Sequence, residues 1–407
     1  MSASLILSGD YRDHGAQQPC QQQQQLLHQQ APLHAVLPYM LIEDEVHGVI
    51  ELPRHIQEIV EHPLFQRLKK IHQLGLVAWV IAPHANQKRY DHCLGTYKSA
   101  QEHLRAIERN SKYETTLPDW CRKAVEIAAL LHDIGHGPMS HAWEKASHNK
   151  FNHEENALDC VDRIFNDARH PKLVALRDEG SGRGVRLIKA LILGDTQYLN
   201  FPMMGHAYIF DIVHNNRCGL DVDKWDYLRR DNKRLKILGP EEMDFDNIFL
   251  KSRISQDGQR IEYRYDDYHR IYTLFVARAR LHVEAYQHPR NAAAEKIFVD
   301  LVQRLAPQMF DLRSKDAGWL NLDDDHILEM VKNDPMAAYI REPQRLVELP
   351  SLDCLDANAL TVSRIIEGPG STMKPDKAFA FYGDKRKKRK INRCLSATTF
   401  NKCFTLE

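Results

Sequence analysis

The sequence predicts a mostly α-helical protein with a small α+β C-terminal part. Apolar residues recur at helical spacing over several long segments, and strand-like alternation is confined to short pieces. The 407 residues are also enough for one large domain with appendages, or for two ordinary domains, with a sizeable core in either case.

Residues 1–38 contain AQQPCQQQQQLLHQQAP, a glutamine-rich run with too few core-forming side chains to offset its ordering entropy, so a disordered tail is expected. The main body is expected over residues 39–345. It opens with LIEDEVHGVIEL, which alternates like a short strand or hairpin. PRHIQEIVEHPLFQRLKKIHQLG then has helical spacing, with Pro63 separating two helices or kinking one. RKAVEIAALLHDIG reads as a helix running through Ala124 to Gly135 and stopped by Gly137-Pro138. Helical patterns continue in NHEENALDCVDRIFNDA, GVRLIKALIL, YHRIYTLFVARARLHVEAYQH and NAAAEKIFVDLVQRLAPQMF, and RIEYRY is strand-like. In residues 346–407, ALTVSRIIEGPGS and KAFAFYGDKRKKRKIN are two β-prone runs parted by Gly, Pro and Ser, which predicts a small α+β region.

Lys plus Arg and Asp plus Glu balance at 55 each, so no global charge argues for nucleic acid or an anionic membrane, and any basic surface is local. The basic run KRKKRK, Lys385 to Lys390, is such a local feature. It reads as a nuclear localisation signal, a nucleic-acid patch or simply a charged strand, which leaves nucleus and cytoplasm both open. No apolar stretch is long enough for a transmembrane helix, so no membrane partner is expected. The eight cysteines are scattered without a C-x-x-C pair, as in an intracellular protein with free thiols.

Three histidines and an aspartate crowd into the twelve residues LLHDIGHGPMSH. A helix through Gly135 puts His132 and His136 on one face, with Asp133 beside His132 as a compact chelating pair. A catalytic metal needs three or four protein ligands, and two other segments offer them. KRYDHCLG supplies His92, and GLDVDKWDYLRRD supplies Asp221, Asp223, Asp226 and Asp231. A lone His-Asp pair often arises by chance; the H…HD…D order with further histidines alongside favours a metal.

YDHCLGT, LLHDIGHGPMSH, FNHEEN and GLDVDKWDYLRRD resemble the signatures of HD-domain metal-dependent phosphohydrolases. More narrowly, EDEVHGVIEL, FQRLKKIHQLG and ARLHVEAYQH resemble the SAM-and-HD-domain deoxynucleoside triphosphate triphosphohydrolases of animals, from Asp44 to His288 and more faintly to Ile391. The resemblance implies a helical phosphohydrolase core. It implies a metal, zinc, iron or manganese, on His92, His132, Asp133 and Asp223, with magnesium assisting the triphosphate. His136, His141 and His153 are implied around the α-phosphate, with His141 the favoured general acid and Glu144, an aspartate in the family, orienting it. Arg89, Lys224 and His153 are candidates for the triphosphate, and Tyr227 for phosphate or sugar. Gln73, Leu74, Asp231 and Tyr286 are assigned to the sugar, and Arg278 and His282 to the same substrate site. Leu74 and Arg89 also have bland readings, as a core leucine and a loop arginine.

The family's SAM domain has no counterpart in the first 40 residues, and the chain stops before the family's C-terminal lobe. The family is activated by GTP and deoxynucleotides at subunit contacts and assembles as dimers and tetramers, so a homo-oligomer is implied. Its guanine-binding positions correspond to Glu61, Gln66 and Lys69, where Lys replaces a bidentate Arg. At the second nucleotide, Arg264 matches, but Asn247 and Asp266 replace basic residues. Weaker or absent nucleotide activation is therefore expected. The implied function is hydrolysis of deoxynucleoside triphosphates to deoxynucleoside and inorganic triphosphate, controlling their level, with little base selectivity. The competing readings are an HD phosphohydrolase with another nucleotide substrate, and a scaffold that binds single-stranded nucleic acid without turnover.

Overall fold

The computed structural model describes residues 39–111, 116–148, 150–203, 205–344 and 380–382. The glutamine-rich segment, both β-prone C-terminal runs except residues 380–382, and the basic run lie outside the described residues.

Two strands come first: β1 (Tyr39–Asp44) pairs antiparallel with β2 (Gly48–Pro53), with Leu41 opposite Glu51 and Asp44 opposite Gly48. Gly48 has φ +70°, a conformation the tight turn requires and a side chain resists. The expected hairpin is therefore present. Pro63 separates α1 (Arg54–Glu61) from α2 (Pro63–Gln66), with His62 between them. A 3₁₀ turn over Arg67–Lys70 leads to α3 (Val77–Val80).

The centre is built by α4 (Arg89–Asn110) and α5 (Asp119–Leu131), which pack on each other, with α8 (Pro171–Leu193) against α5. Tyr97, Leu104 and Ile107 of α4 and Val125, Ala128 and Leu131 of α5 are buried at helical spacing, as their sequence period predicts. Between α5 and α8 come the short α6 (His141–Ala146) and α7 (His153–Asn166). Asn152 caps α7 by accepting the Glu155 N–H at 2.9 Å. The long α8 is two helices joined at Glu179–Gly182, where Gly180, Ser181 and Gly182 all take positive φ.

The chain continues through α9 (Phe210–Val213), α10 (Val222–Leu235) and α11 (Asp246–Leu250), and α10 packs against α4. Strands β3 (Arg253–Ile254) and β4 (Ile261–Arg264) pair antiparallel, and β5 (Phe381–Tyr382) adds parallel to β4. Helix α12 (Tyr268–Leu281) ends in a π turn over His282–Tyr286, followed by α13 (Pro289–Leu305), α14 (Asp324–Val331) and α15 (Ala338–Arg341). Fifteen α-helices against five short strands among the described residues make the fold mostly α, as the sequence predicts. No helix among the described residues is long and apolar enough to cross a membrane.

One boundary differs from expectation. Helix α5 ends at Leu131, not Gly135, because the chain tightens into i→i−3 turns: Ile134 N–H donates to Leu131 and His136 N–H to Asp133. Leu131 and Ile134 stay buried through that turn, so the apolar pattern continues after the helix has stopped.

Candidate active site

With α5 ending at Leu131, His132 and His136 do not share a helix face, and they join different clusters. His132 meets His92 of α4 and Asp223 of α10, while His136 meets His141, the first residue of α6, and His153, the first of α7. Asp133 stands between, its carboxylate 3.5 Å from His132 Nε2, 3.6 Å from His92 Nε2 and 3.3 Å from His136 Nε2.

The first cluster fits a divalent ion. His92 Nε2 lies 3.2 Å from His132 Nε2 and 3.1 Å from Asp223 Oδ1, and His132 Nε2 lies 3.6 Å from that oxygen. Ligand atoms on a tetrahedral ion with bonds of about 2.0–2.1 Å sit roughly 3.3 Å apart. Both rings also present the right nitrogen. His132 Nδ1–H donates to the Ala129 carbonyl at 2.9 Å and His92 Nδ1–H to Asp226 at 2.7 Å, so each Nε2 is left as the lone pair. Two lone pairs and two carboxylates facing one point need a cation. Burial opposes charge on His92, yet its hydrogen bonds to Asp223 and Asp226 lift its pKa to about 10. A metal would take the place of that proton. Arg89 pairs with Asp133, and Arg230 with Asp44 and Asp226, while the half-buried Asp223 also feels Lys224 and Arg278.

Of the aspartates in GLDVDKWDYLRRD, Asp223 alone reaches this cluster as a ligand. Asp221 caps α10, accepting Lys224 N–H at 3.1 Å, and holds Lys224 Nζ at 3.3 Å. Asp226 lies behind His92 rather than beside it. Trp225 is buried in the core while its neighbour Tyr227 faces the cleft, so that helix serves both.

A single cleft runs past the metal cluster and is lined by Gln73, Leu74, Arg89, His132, Asp133, His136, His141, His153, Asp223, Lys224, Tyr227, Asp231, Arg278, His282 and Tyr286. His92 and Glu144 sit behind that wall. Arg89 is no loop residue: it opens α4, is buried, bonds Asp133 and donates to Ser140 Oγ at 2.9 Å. Leu74 is half-buried in the wall rather than in the core. Glu144 holds two histidines, His153 Nδ1 at 2.7 Å and His141 Nδ1 at 3.1 Å. Burial opposes its ionisation, but those bonds hold its carboxyl far below the usual carboxylate range. Burial, with Arg89 and His153 adding, keeps His136 neutral.

At the other end Asp231 accepts from Tyr286 Oη at 2.7 Å and from Gln87 Nε2 at 2.9 Å, and burial lifts its pKa to about 6. Gln73 Oε1 is buried there without a hydrogen-bond partner. Arg278 donates to Tyr227 Oη at 3.2 Å, and burial, with Arg278 and His141 adding, lowers His282 to about 3. Gln87, His47 and Asp226 are components that sequence reasoning missed or misplaced; each partners a residue more than a hundred positions away, beyond the reach of spacing.

Glu61, Gln66, Lys69 and Arg264 lie outside the cleft. Gln66 Nε2 donates to the Val60 carbonyl at 2.6 Å, Lys69 Nζ sits 4.5 Å above the Tyr90 ring, and Arg264 pairs with Asp266 at 3.0 Å. A third His/Asp group, His62, Asp167 and His170, is committed elsewhere: His62 Nδ1 accepts the Leu64 N–H at 3.2 Å, and Arg169 wraps the Asp167 carboxylate.

Residues 89–180, which carry His92, His132 and Asp133, match the HD domain family. The chain is similar to a deoxynucleoside triphosphate triphosphohydrolase SAMHD1 homolog of Dictyostelium discoideum, 31% identical over 266 residues, covering 64% of this chain and 48% of the relative. It is 30% identical to the Homo sapiens deoxynucleoside triphosphate triphosphohydrolase SAMHD1 over 277 residues, 64% of this chain and 44% of the relative. It is also 25% identical over 334 residues to a putative HD domain-containing protein of Acanthamoeba polyphaga mimivirus, covering 78% and 70%. The chain spans about half the length of the triphosphohydrolase relatives it matches.

Proposed function

We propose that the protein hydrolyses deoxynucleoside triphosphates to deoxynucleoside and inorganic triphosphate. The observation that carries this is one cleft with a candidate divalent-metal cluster and three histidine rings at its centre, His136 buried, His153 half-buried and His141 exposed, cations along one side, and the Asp231–Tyr286–Gln87 group at the other. Similarity to the triphosphohydrolases of Dictyostelium discoideum and Homo sapiens supports it.

A divalent ion on His92, His132, Asp133 and Asp223 would supply positive charge at the α-phosphate and make water more acidic. Arg89, Lys224 and Arg278 balance the triphosphate's charge. Asp231 and Gln73 offer acceptors to the 3′-hydroxyl, and Leu74 and Tyr286 close the sugar edge, where a 2′-hydroxyl would be buried unpaired. Water oxygen bonds to the α-phosphorus as the bond to the 5′-oxygen breaks; His141, its Nδ1 held by Glu144, gives its Nε2 proton to that oxygen and is reprotonated by the proton the attacking water loses. Nothing in this set reads a base edge, so all four bases are accepted.

GTP activation is reduced in this reading, because Lys69 is engaged with Tyr90 and Arg264 with Asp266. The test is to incubate Mn²⁺-loaded protein with each deoxynucleoside triphosphate, with and without GTP, and to assay deoxynucleoside and triphosphate. The expected result is both products without GTP and none from Asp133→Ala. Failure on all four substrates, with turnover of another nucleotide, would replace the substrate and keep the phosphohydrolase.

A further inference from the structure

Beneath the metal cluster lies a second buried layer whose centre is Asp226. Its carboxylate, with no exposure to solvent, accepts from His92 Nδ1 at 2.7 Å, His47 Nε2 at 2.7 Å, and Arg230 Nε and Nη2 at 2.9 and 3.0 Å. Arg230 is shared with Asp44, 2.8 Å away. Helix α4 leaves room for the pair at Gly95, where a Cβ would stand 1.9 Å from Asp226 Oδ1 and 2.4 Å from Arg230 Nη2.

His47 comes from neither α4 nor α10. It belongs to the turn between β1 and β2, which Asp44 Oδ1 ties down by accepting the Val46 and His47 N–H groups at 2.8 Å each. The same carboxylate that shapes the turn therefore also anchors Arg230. The hairpin contributes an otherwise solvent-facing element to the support of His92, 45 residues further along the chain.

We infer that His47 is a positioning residue for the metal centre: its Nε2–H fixes the Asp226 carboxylate, which in turn fixes the His92 ring that faces the metal. This rests on the His92–His132–Asp223 cluster being a metal site. Without the His47 bond, Asp226 is held by the Arg230 fork alone, and the acceptor of His92 Nδ1–H loses the second of the two groups that fix it. Partners of metal-bound histidines are worth about 10–100-fold in metal affinity. The competing role is purely architectural, with His47 pinning the hairpin to the helices.

Affinity for Zn²⁺, measured by competition with a chromogenic chelator, separates the two, with melting of the metal-free protein recorded alongside. His47→Phe keeps a ring and loses the donor; His47→Gln keeps an amide N–H at similar reach. Expected are about 10–100-fold weaker Zn²⁺ binding in His47→Phe and recovery to within a few-fold in His47→Gln. Should His47→Phe not fold, His47→Asn, whose amide is one methylene short, takes its place with the same expected loss. Unchanged affinity in the folded variants, or equal loss in the phenylalanine and glutamine variants, overturns the inference. A wild-type protein that binds no Zn²⁺ or Mn²⁺ instead overturns the metal-centre reading beneath it.

Discussion

His136 and His153 lie ring on ring, centroids 3.8 Å apart and planes 11° from parallel, with His141 standing edge-on to both. Glu144 grips the Nδ1 of His153 and of His141, so one carboxylate sets two rings and the stack sets the third. In Glu144→Gln, one of the two Nδ1–H donors must face an amide NH₂. Turnover is expected to fall by about 10²-fold, the scale of losing a well-placed acid–base group. Substrate KM and Zn²⁺ affinity should stay within a few-fold. An equal fall in metal affinity would show that Glu144 acts through the metal cluster instead.

A Cβ on Gly135 would stand 2.0 Å from the His153 carbonyl and 2.4 Å from the Ala157 backbone nitrogen. Backbone cannot move aside as a flexible side chain can, so Gly135→Ala must push the start of α7 away from the turn after α5. The expected outcome is at least about 3 kcal/mol of lost stability in a denaturant titration, at the upper end for overpacking. Displacement of His153 should also remove turnover. A variant of wild-type stability would mean that α7 docks more loosely than the structure has it.

Part of the candidate metal cluster was legible because His132 and Asp133 are adjacent, whereas the choice of Asp223 among Asp221, Asp223, Asp226 and Asp231 came from the family resemblance. The end of α5 was not, since a 3₁₀ turn keeps Leu131 and Ile134 at a spacing a helix also allows. The supports were not legible either. Nothing in EDEVHGV marks His47 as the partner of an aspartate 179 positions later, and Gln87 meets Asp231 across 144 positions. Such pairs depend on α4 and α10 packing together, which sequence period predicts only as the existence of two helices.

Metal removal is expected to destabilise the protein. The Asp133 and Asp223 carboxylates would lose a shared counter-charge, and an ion held at 100 times its Kd contributes about 2.7 kcal/mol. Zn²⁺ or Mn²⁺ added to chelator-treated protein should raise the melting temperature by several degrees. Mg²⁺ alone should not, because it prefers octahedral oxygen to a site with two imidazoles. A melting temperature indifferent to all three ions would argue that protons, not metal, fill the cluster.

Asp231 gives the sharpest pH prediction. Burial lifts its pKa to about 6, from an ordinary value of 3.8 that the unfolded chain retains. Between those values the unfolded state ionises first and binds fewer protons, so folding stability falls as pH rises from about 4 to about 6 and stays lower above. The penalty is on the order of 3 kcal/mol at pH 8 and fades away below pH 4. Asp231→Asn removes the charge and can keep both partners. Tyr286 Oη still has a carbonyl to donate to, and Gln87, whose Oε1 has no partner, can rotate to accept the new amide N–H. The variant is expected to be more stable than wild type at pH 8 and equal to it near pH 4. With deoxynucleoside triphosphates as the proposed substrate, its KM should be higher, since the carboxylate proposed to accept the 3′-hydroxyl has been replaced. Denaturant melts of both proteins at the two pH values measure this directly. A gain that is the same at both would mean that the charge of Asp231 is not what costs stability.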